Sequence, residues 1–125
     1  MQDKVLSPDG ISYVHVLKAC GSMGATEKGE KIHEEIVAHG LIEKDLIVAN
    51  AVIDMYTSFG FVQKAQEVFN NLPLRNVVSW NTIIGGYAEH EFGQEALNCY
   101  LNMRVEGFSS DVSTFTFILK GCDGI

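Results

Sequence analysis

Proline is nearly absent: Pro8 and Pro73 are the only two in 125 residues, which leaves long stretches free to form helix. Cysteine is scarce as well. Cys20, Cys99 and Cys122 contain no CxxC pair and are odd in number, which argues against a disulfide scaffold or a structural zinc site and fits a reducing compartment. No apolar run approaches the roughly 20 residues that span a bilayer. Residues 1–20 also lack the basic, apolar and small-residue order of a secretory signal, so a soluble chain without membrane contact is expected. Basic residues are outnumbered, nine Lys and Arg against sixteen Asp and Glu, for a net charge of −7 and a sequence pI near 4.9. That balance speaks against a generic, phosphate-seeking nucleic-acid binder.

The motifs of catalysis are missing too. His33-Glu34-Glu35 matches half of the zinc deaminase signature, but the Pro-Cys-x-x-Cys half occurs nowhere, so nothing would hold a metal to activate water. His33 and His39, six residues apart, sit about 240° apart around a helix and cannot share one metal ion. There is no P-loop, no G-x-G-x-x-G and no G-x-S-x-G. Neither enzymatic activity nor a cofactor or metal is expected.

What the chain does have is a 46% hydrophobic composition, enough for a real core, and twelve glycines spaced like punctuation between helices. It also repeats itself. Leu17-Lys18-Ala19-Cys20 returns as Leu119-Lys120-Gly121-Cys122, 102 residues on. Asn50, Ile53, Tyr56 and Ala65 return as Asn81, Ile84, Tyr87 and Ala96, each 31 residues on; a step of 36 aligns Leu17, Cys20, Gly24 and Gly29 with Ile53, Tyr56, Gly60 and Ala65. Units of 36, 31 and 35 residues suit helix-turn-helix pairs that bury their apolar faces against neighbouring pairs.

Local patterning agrees with that period. Val48, Ala49, Val52, Ile53 and Tyr56 form an apolar helical stripe; a second helix carries Val62, Ala65, Val68, Phe69 and Leu72 and stops at Pro73. Further helices are expected over 77–88 and 94–105, the latter stopped by Gly107, and over 11–19 and 26–38, the latter stopped by Gly40. Residues 112–122 read as a first helix without a partner, which predicts self-association or fraying, and Ser7-Pro8-Asp9 reads as the tail of a preceding unit. Cys20 and Cys122 are expected in the core, Cys99 partly exposed. The aromatics Phe59, Phe61, Phe69, Tyr87 and Tyr100 suit inter-helix packing better than base stacking.

Three stretches resemble the pentatricopeptide-repeat family, specifically its plant subgroup in which long, short and standard repeats alternate. Val77-Val78-Ser79-Trp80-Asn81-Thr82-Ile83-Ile84, with Gly86-Tyr87 and Glu95-Ala96-Leu97, looks like the standard repeat. Asn50-Ala51-Val52-Ile53-Asp54-Met55-Tyr56, with Gly60 and Ala65 to Phe69, is similar to the short one, and Leu17 to Cys20, with Gly24, Gly29 and Ile32-His33, to the long one. The resemblance implies an all-α superhelical solenoid with a long repeat at 10–45, a short one at 46–76 and a standard one at 77–111. A remnant at 1–9 and a truncated first helix at 112–125 flank them. Two departures stand out: Glu91 occupies a place where the family usually has glycine, and Val5 replaces a glycine before Pro8.

The resemblance also implies a function, the reading of single-stranded organellar RNA at one base per repeat by two residues, one early in the first helix and one at the repeat's end. Carried over, the standard repeat offers Asn81 with Asp111, resembling a uracil pair, and the short repeat offers Asn50 with Asn76, a pyrimidine pair. The long repeat offers Val14 with Asp45, and valine has no side-chain hydrogen bond to give, so this pair reads weakly or acts as a spacer. Ile11, Ile47 and Val78 hold the places that sandwich a base, and Ser113 replaces that aliphatic residue in the last unit. An RNA editing or transcript-processing role in mitochondrion or chloroplast, with partner proteins, is what the family implies; no transit-peptide composition is present in this chain.

A plainer use competes for the same residues. Asp45, Asn76 and Asp111 each precede an expected helix, where Asp or Asn caps the first turn and contributes about 1 kcal/mol with no ligand. For Asn50 and Asn81 the plain reading is a solvent-facing polar position. A protein-interaction solenoid of the tetratricopeptide kind is the alternative at the level of function, although such grooves usually carry a repeated Lys or Arg that is not seen at this phase.

Overall fold

The computed structural model describes residues 10–108; the expected remnant at 1–9, Asp111, Ser113, Cys122 and the expected helix at 112–125 lie outside them. Among the described residues seven helices follow one another: α1 (Gly10–Met23), α2 (Thr26–Ala38), α3 (Leu41–Lys44), α4 (Leu46–Phe59), α5 (Val62–Asn70), α6 (Val77–Glu89) and α7 (Gly93–Val105). No strand occurs among the described residues. The architecture is an all-α solenoid of antiparallel hairpins, α1 with α2, α4 with α5 and α6 with α7.

The sequence sets each helix through its stripe and its stops. In α4 the stripe residues Val48, Ala49, Val52, Ile53 and Tyr56 are all buried. The helix starts at Asp45, whose carboxylate accepts from the backbone N–H groups of Ile47 at 3.0 Å and Val48 at 3.3 Å. It ends at Gly60, left-handed at φ 83°. Gly24 and Glu91 hold the equivalent turns of the neighbouring hairpins, at φ 69° and 65°, so the departure from glycine at Glu91 puts a side chain where the backbone is left-handed.

The first helices lie side by side and parallel, with α4 in the middle and α1 and α6 on its flanks. Their starts and ends are in register: Gly10 faces Asp45 and Val48 at one end, while Gly21 faces Ser58 at the other. At Gly86 the approach is so close that an added Cβ would come within 2.8 Å of the Thr57 Cβ and closer still to its methyl group. Each second helix folds back on its own first helix, and one continuous core runs between the two layers.

Polar links join one hairpin to the next through the core's outer edge. Tyr56 shares a 2.8 Å hydrogen bond with His33 of α2, and Tyr87 donates to Gln66 of α5 at 2.5 Å. His90 donates through Nε2 to the Thr57 carbonyl at 2.6 Å. Arg75 lies over the rings of Phe69 and Trp80, its guanidinium carbon 4.6 and 5.6 Å from their centroids, and pairs with Glu106 at 3.1 Å. Edge-to-face contacts connect Tyr56, Phe59 and Phe61, and pair Phe69 with Trp80, in line with the packing role expected of Phe59, Phe61 and Phe69.

Two expectations need correction. The four-residue α3 between the first and second hairpins was not foreseen; Gly40, at φ 69°, stops α2 as expected, but a further turn of helix follows it. Cys99 is buried at 8% exposure, not partly exposed, and burial pushes its thiol up to about 11, so it behaves as a small core residue.

Candidate nucleic-acid interface

The starts of α1, α4 and α6 form one rim of the first-helix layer, and the residues expected to meet RNA gather there. Ile11, Ile47 and Val78 each occupy the second helical position of their helix and are 70%, 71% and 55% exposed. These three aliphatic side chains are exposed among several others, Met23, Leu74 and Val105 included, and what sets them apart is that they stand in phase at the starts of three parallel helices. Three residues further on, and hence on the same helix face, come Val14, Asn50 and Asn81.

Asn50 does not face solvent. It is 8% exposed and belongs to a closed polar ring with Asn76 and Ser79, two residues at the start of the next first helix. The Asn76 side-chain oxygen caps α6 by accepting the Ser79 backbone N–H at 2.9 Å and also accepts Asn50 Nδ2 at 3.3 Å. Ser79 Oγ donates to Asn50 Oδ1 at 2.7 Å and accepts the Asn76 backbone N–H at 3.2 Å, which completes a capping box. The capping use of Asn76 and its place beside Asn50 therefore coexist in one arrangement.

The pair expected of the long repeat is different. Val14 is half-buried and has no polar atom, while Asp45 spends its carboxylate on the cap of α4 and lies against Gly10. Asn81 is half-buried in a cleft of about 270 Å³ that it shares with Val78, Asp54, Gly85, Gly86 and Glu89. Its expected partner Asp111 lies outside the described residues.

Sequence reasoning missed Ser79 and the carboxylates of this cleft. The signal for Ser79 was present in the Asn-x-x-Ser spacing of a capping box; its link to Asn50, 29 residues earlier, is visible only in three dimensions. Desolvation first, and then the charge of Glu89, push the Asp54 carboxyl above its ordinary value, with Lys18 opposing. The groove is therefore acidic beside Asn81, and phosphate charge does not draw RNA to that spot. Among the described residues no group of His, Cys, Asp and Glu is placed to hold a metal ion, and no helix is long and apolar enough to cross a membrane.

Comparison with known proteins places this rim in context. Residues 11–41 and 47–77 match the PPR repeat, and residues 75–123 match the PPR repeat family. A pentatricopeptide repeat-containing protein of Arabidopsis thaliana is 38% identical over 125 residues, 100% of this chain and 23% of its own length. Another from the same plant, named DOT4, chloroplastic, is 36% identical over 122 residues, 98% of this chain and 14% of its own. The chain thus spans about a quarter or less of the relatives it matches. Maize PPR10 superimposes with a TM-score of 0.80 at 25% identity, covering 94% of this chain and 17% of that one. PPR10 in complex with an 18-nt psaJ RNA element superimposes with a TM-score of 0.78 at 24% identity, over 94% of this chain and 18% of that one. This chain belongs to the pentatricopeptide-repeat family and is a plant PPR protein sequence.

Proposed function

We propose that the chain reads single-stranded RNA at one base per repeat, with Asn50 and Asn76 facing a pyrimidine and Asn81 with Asp111 facing the uracil that follows it. The observation that carries this is the 3.3 Å contact between Asn50 and Asn76. Two amides from the two ends of one repeat, 26 residues apart, meet beside the exposed aliphatics Ile47 and Val78 and so supply polar and apolar surface for one unstacked base. PPR10, a neighbour in fold, is seen with RNA; for this chain the reading rests on its own residues. The repeat order long, short, standard, with boundaries at 10–45, 46–76 and 77–111, belongs to the same proposal, as does Val14 with Asp45 as a spacer pair.

Magnitude sets what this segment does alone. Each engaged base contributes about 1–3 kcal/mol, and after the cost of association two bases give roughly micromolar affinity or weaker. Tighter binding needs more repeats, so the segment works as part of a longer reader that acts in RNA editing or transcript processing through partner proteins, in an organelle; one relative bears a chloroplast designation. No catalysis is assigned to it.

The test is to place these repeats in a longer array and measure binding to RNAs that differ at the two pyrimidine positions. Asn81→Thr with Asp111 retained moves preference from uracil toward guanine; an unchanged preference removes the assignment for that unit. The protein-interaction alternative draws on one observation, the Asp54 and Glu89 carboxylates in the cleft beside Asn81. An array that ignores RNA sequence at both positions and captures a basic peptide in that cleft would favour it.

A further inference from the structure

Ser79 is fully buried and bonds to both members of the Asn50–Asn76 pair. A buried hydroxyl with two amide partners is unremarkable if it only satisfies a core. Its geometry does more here, because the ring sets which end of each amide faces which partner.

The forcing begins at a backbone group. The Ser79 N–H can only donate, so the Asn76 side-chain atom 2.9 Å away is its oxygen, and the amide nitrogen of Asn76 is turned the other way. That oxygen also faces an Asn50 side-chain atom at 3.3 Å, which must then be the nitrogen. The remaining Asn50 atom is the oxygen, and it takes the Ser79 hydroxyl proton at 2.7 Å. The hydroxyl has one proton, and its 2.7 Å contact with Asn50 is shorter than its 3.0 Å contact with Asn76, where the acceptor is already occupied. Without the hydroxyl the Asn50 oxygen loses its 2.7 Å donor, and only the longer 3.3 Å contact with Asn76 is left to hold the amide against a flip that exchanges what it presents.

The preceding unit lacks this brace. In α4 the residue three after the cap Asp45 is Val48, which has no hydroxyl, and the paired position holds Val14, which has no amide to orient.

We infer that Ser79 is a positioning residue for base reading: its backbone N–H orients the Asn76 amide and its hydroxyl holds the Asn50 amide, so that the pair presents N–H donors to acceptors on the Watson–Crick edge of a pyrimidine. The inference rests on the RNA-reading function proposed above. Ser79 itself does not touch the base.

The chain labelled with nitrogen-15 suits the test, since side-chain amide resonances of Asn50 and Asn76 report weak binding. Titrate wild type, Ser79→Ala, Ser79→Cys, Ser79→Thr and Asn50→Ala with a short oligopyrimidine and with oligoadenylate, and compare the ratio of the two dissociation constants. Wild type and Ser79→Thr, which keeps a hydroxyl, prefer the oligopyrimidine. Ser79→Ala lowers that ratio by about three- to tenfold, the range of one neutral hydrogen bond. Ser79→Cys, close in volume but a weak donor, lowers it in the same direction and decides the matter if the alanine variant does not fold.

If Asn50→Ala abolishes the preference while Ser79→Ala and Ser79→Cys retain it, the inference is overturned and the RNA reading stands. If the Ser79 variants weaken both oligonucleotides equally, Ser79 serves the fold alone and the inference is again overturned. Absence of any preference in wild type removes the RNA reading for this unit, and the role of Ser79 with it.

Discussion

At Asn50 a polar side chain has been taken almost entirely out of water, and what makes that tolerable is a partner for each end of the amide. Burying an amide without hydrogen bonds costs about 1–3 kcal/mol on protein scales, and the same cost falls on any partner left behind. Asn50→Ala therefore destabilises the fold by about 1–2 kcal/mol in denaturant unfolding, since the Ser79 hydroxyl retains Asn76 Oδ1 at 3.0 Å as a second acceptor. A variant as stable as wild type would show that the ring contributes nothing to folding. Asp54 predicts the opposite sign. Its folded-state value lies above the ordinary 3.8, so the fold disfavours the charged form. The stability tied to its neutral form is fully present below the unfolded value near 3.8 and is lost as pH rises through the folded value. Asp54→Asn accordingly raises the unfolding midpoint at neutral pH, and the gain vanishes in strong acid; thermal unfolding at the two pH values checks it.

Among the elements, the turn between α6 and α7 is the one the sequence supplies least well. Glu91 holds φ 65°, where Gly24 and Gly60 hold φ 69° and 83° at the equivalent turns. A left-handed residue with a Cβ costs roughly 1 kcal/mol or somewhat more. Glu91→Gly recovers about that amount, less the added chain entropy of glycine, and calorimetry of the two chains measures it. Gly86→Ala runs the other way. Its methyl meets Thr57 across the α4–α6 crossing, so the helices must part or Thr57 must move, at about 1–3 kcal/mol, and Thr57→Ser relieves part of that by removing the nearer atom. Additive effects in the double mutant would show that the two side chains do not meet.

These elements also show how far the sequence could be read. The helices α2, α6 and α7 were legible to within a residue or two because stripe and stop coincide, as at Gly40 and Gly107. The departure at Glu91 was legible as a missing glycine, though only the backbone gives it an energy. The four residues of α3 carry too short a pattern to show periodicity. The burial of Asn50 was not legible at all: a polar residue on a helix reads as exposed, and the two partners that permit its burial lie 26 and 29 residues away.

Over the whole molecule, successive hairpins share a core and are joined at its edge by a handful of polar links, two of which end on tyrosine hydroxyls. Tyr56 reaches back to His33, and Tyr87 reaches back to Gln66. Burial first, then nearby acidic groups, push both phenols up to about 12 from 10. For a group whose folded value is raised, the associated stability is complete below the unfolded value and disappears as pH rises toward the folded one. The solenoid is therefore indifferent to these tyrosines up to about pH 10 and loses stability between about 10 and 12, when the unfolded chain ionises and the folded chain resists. Because each phenol lies at a joint between hairpins, the loss is cooperative: helical circular dichroism and tyrosinate absorbance change together over that window. Tyr87→Phe removes one ionisation and makes the stability curve shallower there, at the expense of the Gln66 link at every pH. If tyrosinate appears well before helix is lost, the phenols are open to water in the folded chain, and the joints between hairpins are not where alkali acts.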